Sequence, residues 1–548
     1  MALQSENLRV VMGQLNLLVG DVEGNVSKMI SAAESARDDL HADVIVFPEL
    51  AMIGYPPEDL LLRDTLYERV ASGLAKFQRE IGGIGIVVGY PYQDAEGCYN
   101  ALSMIKDGEI VATTHKQFLP NYSVFDEKRY FVSSTRPPAV VDVKGYQLGL
   151  LVCEDIWYAE PAAQAVEQGA QLLLVANASP YHLGKGGERI DIVQQRISEM
   201  HCPVVYTNLV GGQDELVFDG GSFVLDAQGE LKQQTPSFEE GLFVAEFSRE
   251  SGCVEALRGL CQQLYRDERS VYRALVLGVR DYIEKNGFPG AVLGLSGGID
   301  SALTLAIAVD AIGAERVEAV MMPSRYTADM SLEDAAEEAE TLGVDYRVMS
   351  IEPLFDAFMV SLKEEFAGRE VDSTEENIQA RCRGVLLMAI SNKKGKMVLT
   401  TGNKSEMAVG YSTLYGDMAG GFSVLKDVPK TWVYRLAEYR NSLSQVIPQR
   451  VIDRPPSAEL AADQTDQDSL PPYDVLDSIL ARYVEQEQCA EEIIAAGFDE
   501  ATVKRVVRLV DLNEYKRRQA APGVKISQRA FGRDRRYPIT SAYNRRNR

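Results

Sequence analysis

The segment from Ala291 to Ser301, AVLGLSGGIDS, constrains the fold of this chain more than any other. An apolar, strand-like run passes through Ser-Gly-Gly-Ile-Asp-Ser and directly into a helical pattern. Gly297 and Gly298 carry no Cβ, so such a turn can present successive backbone N–H groups to an anion. The helix that follows adds its own unpaired N-terminal donors and the positive end of its dipole. Ser296 and Ser301 supply hydroxyl donors. Asp300 would repel a phosphate unless a divalent cation lay between them, which makes it a candidate Mg²⁺ ligand. The plainer reading is a glycine-rich strand-to-helix turn with a serine N-cap.

The flanking pattern agrees with a nucleotide-binding sheet. The spacing predicts a helix over 267–286, a strand over 291–295, a helix over 301–311, a strand over 317–321, an acidic helix over 331–341 and a strand over 345–350. Helical segments follow over 374–393, and a further strand over 396–400. That alternation implies a doubly wound parallel sheet. The acidic run Glu333–Glu340 reads as a solvated helix face. Residues 453–474, with a Pro-Pro pair near each end, read as a mobile loop expected to order over bound substrate.

The first half is a second α/β layered pattern. Short β-branched runs at 8–12, 43–47, 85–89, 148–152, 171–176, 203–208 and 222–225 alternate in places with helical stretches such as 25–40 and 161–168. The predicted organisation is therefore a domain over 1–250, a linker over 251–266 and a second domain over 267–548. A chain of 548 residues, 46% hydrophobic and 25% charged, is large enough for such cores without disulfides. No run approaches the roughly 18 apolar residues of a membrane-crossing helix, and the N-terminus lacks the basic start and apolar stretch of a signal peptide. Seven scattered cysteines without a C-x-x-C read as reduced thiols and a cytoplasmic protein. The net charge of −24 argues against nucleic acid as a partner. Only residues 516–548 run the other way, with eleven Lys and Arg against one acid. They read as either a solvated, partner-binding arm or a clamp for an anionic substrate.

The strand–SGGIDS–helix unit resembles the phosphate loop of the ATP pyrophosphatase family, which binds the pyrophosphate released when ATP adenylates a substrate. The resemblance assigns Gly294, Leu295, Ser296, Gly297, Gly298, Ile299, Asp300 and Ser301 to ATP. ENIQAR at 376–381, TTGNKSE at 400–406 and YGD at 415–417 are, in turn, similar to the NAD synthetases within that family. On that resemblance Asn377, Arg381, Glu406 and Lys516 suit deamido-NAD, and Thr401, Lys430 and Ser457 suit ATP. Asp300 and Glu406 suit Mg²⁺. Tyr515 stands where many relatives have His. Lys516, Lys525 and Arg529 are candidates to neutralise a substrate bearing two phosphates and a carboxylate.

Cys153, in LGLLVCEDIW, closes a strand and opens a helix-like segment. There the helix-terminal N–H groups are expected to lower its pKa. Glu49 in DVIVFPEL and Lys116 after His115 come from separate segments. Taken one at a time, these are a buried apolar thiol and a solvated strand-end acid. Together, Glu49, Lys116 and Cys153 resemble the triad of the nitrilase superfamily, which implies a four-layer α-β-β-α amidase fold. In that reading Glu49 is the general base and Lys116, with the Glu154 N–H, stabilises the oxyanion. Glu154 and Asp155 orient the loop, and Glu127 supports Lys116. Tyr122, Ser179 and Lys185 match positions that hold glutamine. The four histidines, at 41, 115, 182 and 201, lack metal-ligand spacing.

The two halves together resemble the glutamine-dependent NAD synthetase family. The resemblance implies glutamine, ATP and deamido-NAD as small-molecule substrates, Mg²⁺ as cofactor, an internal path for ammonia, and a homo-oligomer built on a synthetase-domain dimer. Two alternatives stay open: another glutamine-dependent adenylating amide ligase, and a non-catalytic nucleotide sensor. A GMP or asparagine synthetase would carry a different glutaminase half, and the sensor would not need all five of Glu49, Lys116, Cys153, Asp300 and Glu406.

Overall fold

The computed structural model describes residues 7–249, 253–265, 267–461 and 464–542. The leader expectation, in part, and the extreme Arg545–Arg548 end fall outside them. The chain divides into two compact units: the described parts of Met1–Gln213 and Val217–Tyr265 form one, and those of Asp214–Leu216 and Arg266–Arg548 the other.

The first unit is built on two large sheets. One runs Glu255–Ala256, Gly241–Ser248, Leu8–Gln14, Val44–Val46, Gly85–Gln93, Cys98–Lys106 and Glu109–His115, in that spatial order. The other runs Leu231–Gln234, Phe223–Leu225, Val204–Asn208, Leu172–Asn177, Tyr146–Val152 and Val140–Val143. Alternation along the strands explains the layering. Leu8, Val10 and Met12 from one sheet and Leu148, Leu150 and Val152 from the other share a single apolar core. The intervening residues face outward: Leu151, Leu173 and Val175 form a second core with Val193 and Ile197 of helix Lys185–Met200 and with Ala162 and Ala165 of helix Ala159–Glu167. On the first sheet's side, helix Val22–Asp38 buries Val22, Val26, Met29 and Ala33, and packs against helix Asp64–Glu80. The result is the α-β-β-α sandwich expected. Residues 253–265, read from sequence as part of a linker, pack with this unit: Glu255–Ala256 pairs with Phe247 and Ser248, and Gln234 donates to the Leu260 carbonyl at 3.0 Å.

The second unit carries an all-parallel five-stranded sheet in the order Asp345–Val348, Val317–Met321, Ala291–Gly294, Met397–Thr400, Phe422–Ser423. Numbered along the chain that order is 3-2-1-4-5. The strand order therefore reverses between Ala291–Gly294 and Met397–Thr400, and a crevice opens at the carboxyl ends of those two strands. Helices Glu268–Lys285 and Ile299–Ile312 pack together, while Ile378, Cys382 and Leu387 of helix Ser373–Lys394 cover Val292, Val320 and Val398.

The structure adds to three sequence readings here. The acidic run is not simply a solvated face: Asp334 and Glu338 of helix Asp329–Leu342 are buried, and Asp334 accepts from Arg450 at 3.0 Å. A periodic pattern of acids cannot distinguish the face that meets a distant arginine. The described residues of 453–474, read as a mobile loop, make defined contacts: Arg454 donates to the Gly297 carbonyl, Ser331 donates to Glu459 at 2.6 Å, and Gln379 donates to the Leu460 carbonyl at 3.0 Å. Helix Tyr473–Leu480 begins inside the predicted loop. Much of the basic tail is folded in rather than solvated. Arg517, Lys525 and Arg535 are buried, with Lys525 on Asp534 at 2.7 Å and Arg535 on Glu514 at 3.1 Å. Arg529 pairs with Glu487.

Candidate active sites

In the first unit Cys153 sits immediately after strand Tyr146–Val152, at the start of the 3₁₀ segment Cys153–Trp157. Its φ of 44° lies in the left-handed region, a strained setting for a residue with a Cβ. Glu49 follows strand Val44–Val46, and Lys116 follows strand Glu109–His115. Folding brings the three into one buried pocket. The Lys116 ammonium donates to Glu49 Oε1 at 2.6 Å and to Glu127 Oε1 at 2.9 Å, with no side-chain exposure. Asn100 donates to Glu49 Oε1 at 2.7 Å, the Ala178 N–H to Glu49 Oε2 at 3.2 Å, and Tyr55 to Glu127 at 2.8 Å. Asp155 accepts the N–H groups of Gln117 and Phe118 at 3.0 and 2.9 Å, fastening the residues after Lys116 to the Cys153 loop.

The electrostatics follow from two carboxylates around one ammonium. Burial, opposed by Lys116 and reinforced by Glu49, pushes the Glu127 carboxyl up to about 7. Burial and the Glu49 charge push the Cys153 thiol well above its usual value, only partly offset by Lys116. This reverses the lowered pKa expected from a helix terminus: a third anion beside Glu49 and Glu127 in a dry pocket is unfavourable, so the resting group is the neutral thiol. A base must therefore take its proton during reaction. Glu49→Gln removes a negative neighbour and lowers the thiol pKa. We expect the carboxamidomethylation rate of Cys153 at pH 8, read by peptide mass spectrometry, to rise several-fold while glutamine turnover collapses; an unchanged or slower rate contradicts this charge balance.

The residues expected to hold glutamine gather around this pocket. Tyr122 donates to Glu154 Oε1 at 2.9 Å. The Lys185 ammonium lies 4.1 Å over the Trp157 ring and pairs with Glu188 at 2.9 Å. Ser179 lies one residue beyond Ala178, in a network with Asn208 and Arg189. His115 stacks between Tyr92 and Tyr99. Asn100, Tyr55, Arg189 and Asp219 were not singled out from sequence, because none lies in a recognisable local motif.

In the second unit the glycine loop 294–301 occupies the topological switch point. Leu295 N–H donates to the Val320 carbonyl at 3.0 Å as strand Ala291–Gly294 ends. Ser296 and Ser301 hydroxyls meet at 3.1 Å, and Ser301 donates to the Gly298 carbonyl at 2.9 Å. Helix Ile299–Ile312 then begins from Gly298. Gly297 has φ +77°, and a Cβ there would lie 2.3 Å from the Ser331 carbonyl oxygen. Gly297→Ala should thus cut ATP-dependent turnover about tenfold or more with either nitrogen source, through roughly 1–3 kcal/mol of strain; unaltered ATP dependence would show that the loop tolerates the side chain.

Across the crevice, Asn403 and Glu406 lie just beyond strand Met397–Thr400, as does Thr401. Asn403 caps helix Lys404–Val409 and donates to Asp300 Oδ1 at 2.8 Å. Lys430 Nζ pairs with Asp300 and stands 3.5 Å from Glu406 Oε1. Burial and the Asp300 charge push the Glu406 carboxyl up to about 8. Asp300 and Glu406 are thus two oxygen donors that share the Lys430 ammonium beside loop 296–301, and their residue types fit a hard cation. Asn377 accepts from Thr413 at 2.7 Å, Arg381 donates to the Leu414 carbonyl at 3.3 Å, and Lys516 donates to the Gly410 and Ser412 carbonyls at 2.7 Å each. These three converge on residues 410–414. Ser457 lies in the segment that follows Arg454 and donates to the Gln464 carbonyl.

A nitrilase-like amidohydrolase unit joined to a parallel-sheet nucleotide unit defines a class: ligases that take nitrogen from an amide and use ATP to install it. The carbon-nitrogen hydrolase family model matches residues 9–252 and the NAD synthase family model residues 271–520. A glutamine-dependent NAD(+) synthetase of Xylella fastidiosa is 51% identical, with 98% of this chain and 99% of that protein covered. One of Thermotoga maritima is 45% identical, covering 98% and 99%. The solved glutamine-dependent NAD+ synthetase of Acinetobacter baumannii, in complex with ADP, has a TM-score of 0.80 and 48% identity, covering 97% and 98%. The chain belongs to the glutamine-dependent NAD(+) synthetases, the ligases that catalyse the final step of NAD biosynthesis.

Proposed function

We propose that Cys153, Glu49 and Lys116 hydrolyse glutamine, and that loop 294–301, with Asp300, Glu406 and Lys430, drives ATP-dependent amidation of deamido-NAD. The observation that carries the first half is the buried Lys116 ammonium 2.6 Å from Glu49 in the pocket of Cys153. Glu49 takes the thiol proton as sulfur attacks the side-chain amide carbon of glutamine. Lys116 and the Glu154 N–H hold the oxyanion, and the proton goes to the leaving nitrogen, which departs as ammonia. Glu49 then activates water to hydrolyse the glutamyl thioester, releasing glutamate and restoring the thiol. Tyr122, Ser179 and Lys185 bind glutamine.

In the second unit a carboxylate oxygen of deamido-NAD attacks the α-phosphorus of ATP and pyrophosphate leaves. The N–H groups of loop 296–301 and the start of helix Ile299–Ile312 hold the departing pyrophosphate. Thr401, Lys430 and Ser457 bind ATP, while Asn377, Arg381, Glu406 and Lys516 bind deamido-NAD. Asp300 and Glu406 would hold a Mg²⁺ ion, which when bound supplies positive charge to the phosphate oxygens. Ammonia then attacks the adenylated carbonyl, AMP leaves with the former carboxylate oxygen, and NAD is formed. Deamido-NAD carrying oxygen-18 in its carboxylate should therefore deliver label to AMP. Label appearing in pyrophosphate instead overturns the adenylate route.

The scattered, odd set of seven cysteines supports a cytoplasmic location. A homo-oligomer built through the second unit is supported by helix Glu352–Leu362, which packs Phe355, Met359 and Leu362 partly buried against its own core and leaves its other face exposed. Phe358 and Val360 on that helix, and Val385 and Met388 on the neighbouring helix Ser373–Lys394, are exposed. Val360→Asp should lower the solution mass in light scattering; an unchanged oligomer removes this face from the assembly.

A further inference from the structure

Arg189 is a fully buried cation that the mechanism above does not use. It lies on helix Lys185–Met200, whose buried face is otherwise apolar apart from Arg196. Its guanidinium is held on three sides: Nε donates to Ser179 Oγ at 3.0 Å, one terminal nitrogen donates to the Ser179 and Pro180 carbonyls at 2.8 and 3.2 Å, and the other forms an ion pair with Asp219 at 2.8 Å. Burying such a group is costly, and these contacts offset part of that cost.

The fork has a directional consequence. A guanidinium only donates, and a hydroxyl has two lone pairs and a single proton. Arg189 occupies one lone pair of Ser179 Oγ, so the Ser179 proton is turned away from it, toward the neighbouring Tyr206 oxygen or an incoming acceptor. The Ser179 backbone is pinned as well: its N–H donates to Asn208 Oδ1 at 2.9 Å, and Asn208 Nδ2 donates back to its carbonyl at 3.3 Å. The preceding Ala178 N–H is the one that donates to Glu49 Oε2 at 3.2 Å. One rigid chain of contacts therefore runs from Asp219 through Arg189 and Ser179 to the base of the triad.

We infer that Arg189, braced by Asp219, is a positioning residue for glutamine: it fixes the Ser179 hydroxyl as a hydrogen-bond donor to the substrate. The inference rests on the proposed role of Ser179 in glutamine binding. Arg189 itself touches no substrate.

The test is a double-mutant cycle on the full-length enzyme, with the KM for glutamine as readout and carboxamidomethylation of Cys153 as the check that the thiol pocket is intact. Arg189→Lys keeps the charge and removes the fork. It should raise the KM about tenfold, the scale of one hydrogen bond to a charged group, with a smaller change in kcat. Ser179→Ala should raise the KM similarly, and the double variant should be no worse than Ser179→Ala alone. If Arg189→Lys does not fold, Asp219→Asn serves in its place, with a several-fold rise in KM that likewise vanishes in the Ser179→Ala background. Effects that multiply, or a Ser179→Ala effect with none from Arg189→Lys or Asp219→Asn, overturn the positioning role and leave Ser179 as a glutamine contact. A normal KM in Ser179→Ala overturns both readings.

Discussion

Replacing Cys153 with alanine is expected to abolish glutamine-driven NAD formation, by at least about 10³-fold, while ammonium-driven formation persists. The size follows from the chemistry: without sulfur there is no thioester, and the remaining Glu49 and Lys116 have no nucleophile to activate. The asymmetry follows from the architecture. Cys153 belongs to the first unit, whereas the phosphate loop, Asp300 and Glu406 belong to the second. NAD formation from deamido-NAD, ATP and Mg²⁺ should be followed with each nitrogen donor in wild type and variant. Retention of the glutamine reaction by the variant moves the nucleophile elsewhere. Loss of both reactions indicates that the variant disturbs more than the thiol.

Asp300→Asn should show the complementary pattern, with NAD formation from glutamine and from ammonium falling together by about 10² to 10³, the range seen when one preorganised charge is removed from a reacting centre. Asparagine preserves the shape and can still meet Asn403, but it no longer offers an anion between the phosphate loop and Lys430. Calorimetry of Mg²⁺–ATP binding supplies a second readout independent of turnover, and it should weaken markedly. Glutaminase-site alkylation at Cys153 reports whether the first unit is intact. Near-normal synthesis from ammonium in this variant would remove Asp300 from the reacting centre.

Both effects involve residues legible in the sequence, for a physical reason. A phosphate loop is a local object: strand, glycines and helix start lie within Ala291–Ser301, and the required φ at Gly297 is written in the residue type. Cys153 taken alone read as a buried apolar thiol, and it became a candidate only together with Glu49 and Lys116 through the resemblance they carry. The parallel sheet was likewise implied by alternating strand and helix periods, since such strands need helical crossovers.

Other features depended on contacts between residues far apart in the chain. Lys116 was expected to pair with Glu127, yet the charge balance that keeps Cys153 a neutral thiol needs Glu49, Glu127 and Lys116 in one dry pocket, and the local helix-end argument gave the opposite sign. The burial of Asp334 was invisible because its arginine partner lies 116 positions away. The basic tail read as either a solvated arm or an anion clamp, and the pairing of Lys525 and Arg535 with Asp534 and Glu514 was not visible from either reading. By itself, then, the sequence determined the two α/β cores and the glycine turn between strand and helix at 294–301, because these depend on local backbone geometry and periodicity. Only the tertiary structure decided which charges are neutralised, which are buried, and how Arg189 is set behind Ser179, because Coulomb energy and desolvation depend on distances in space rather than on separation along the chain.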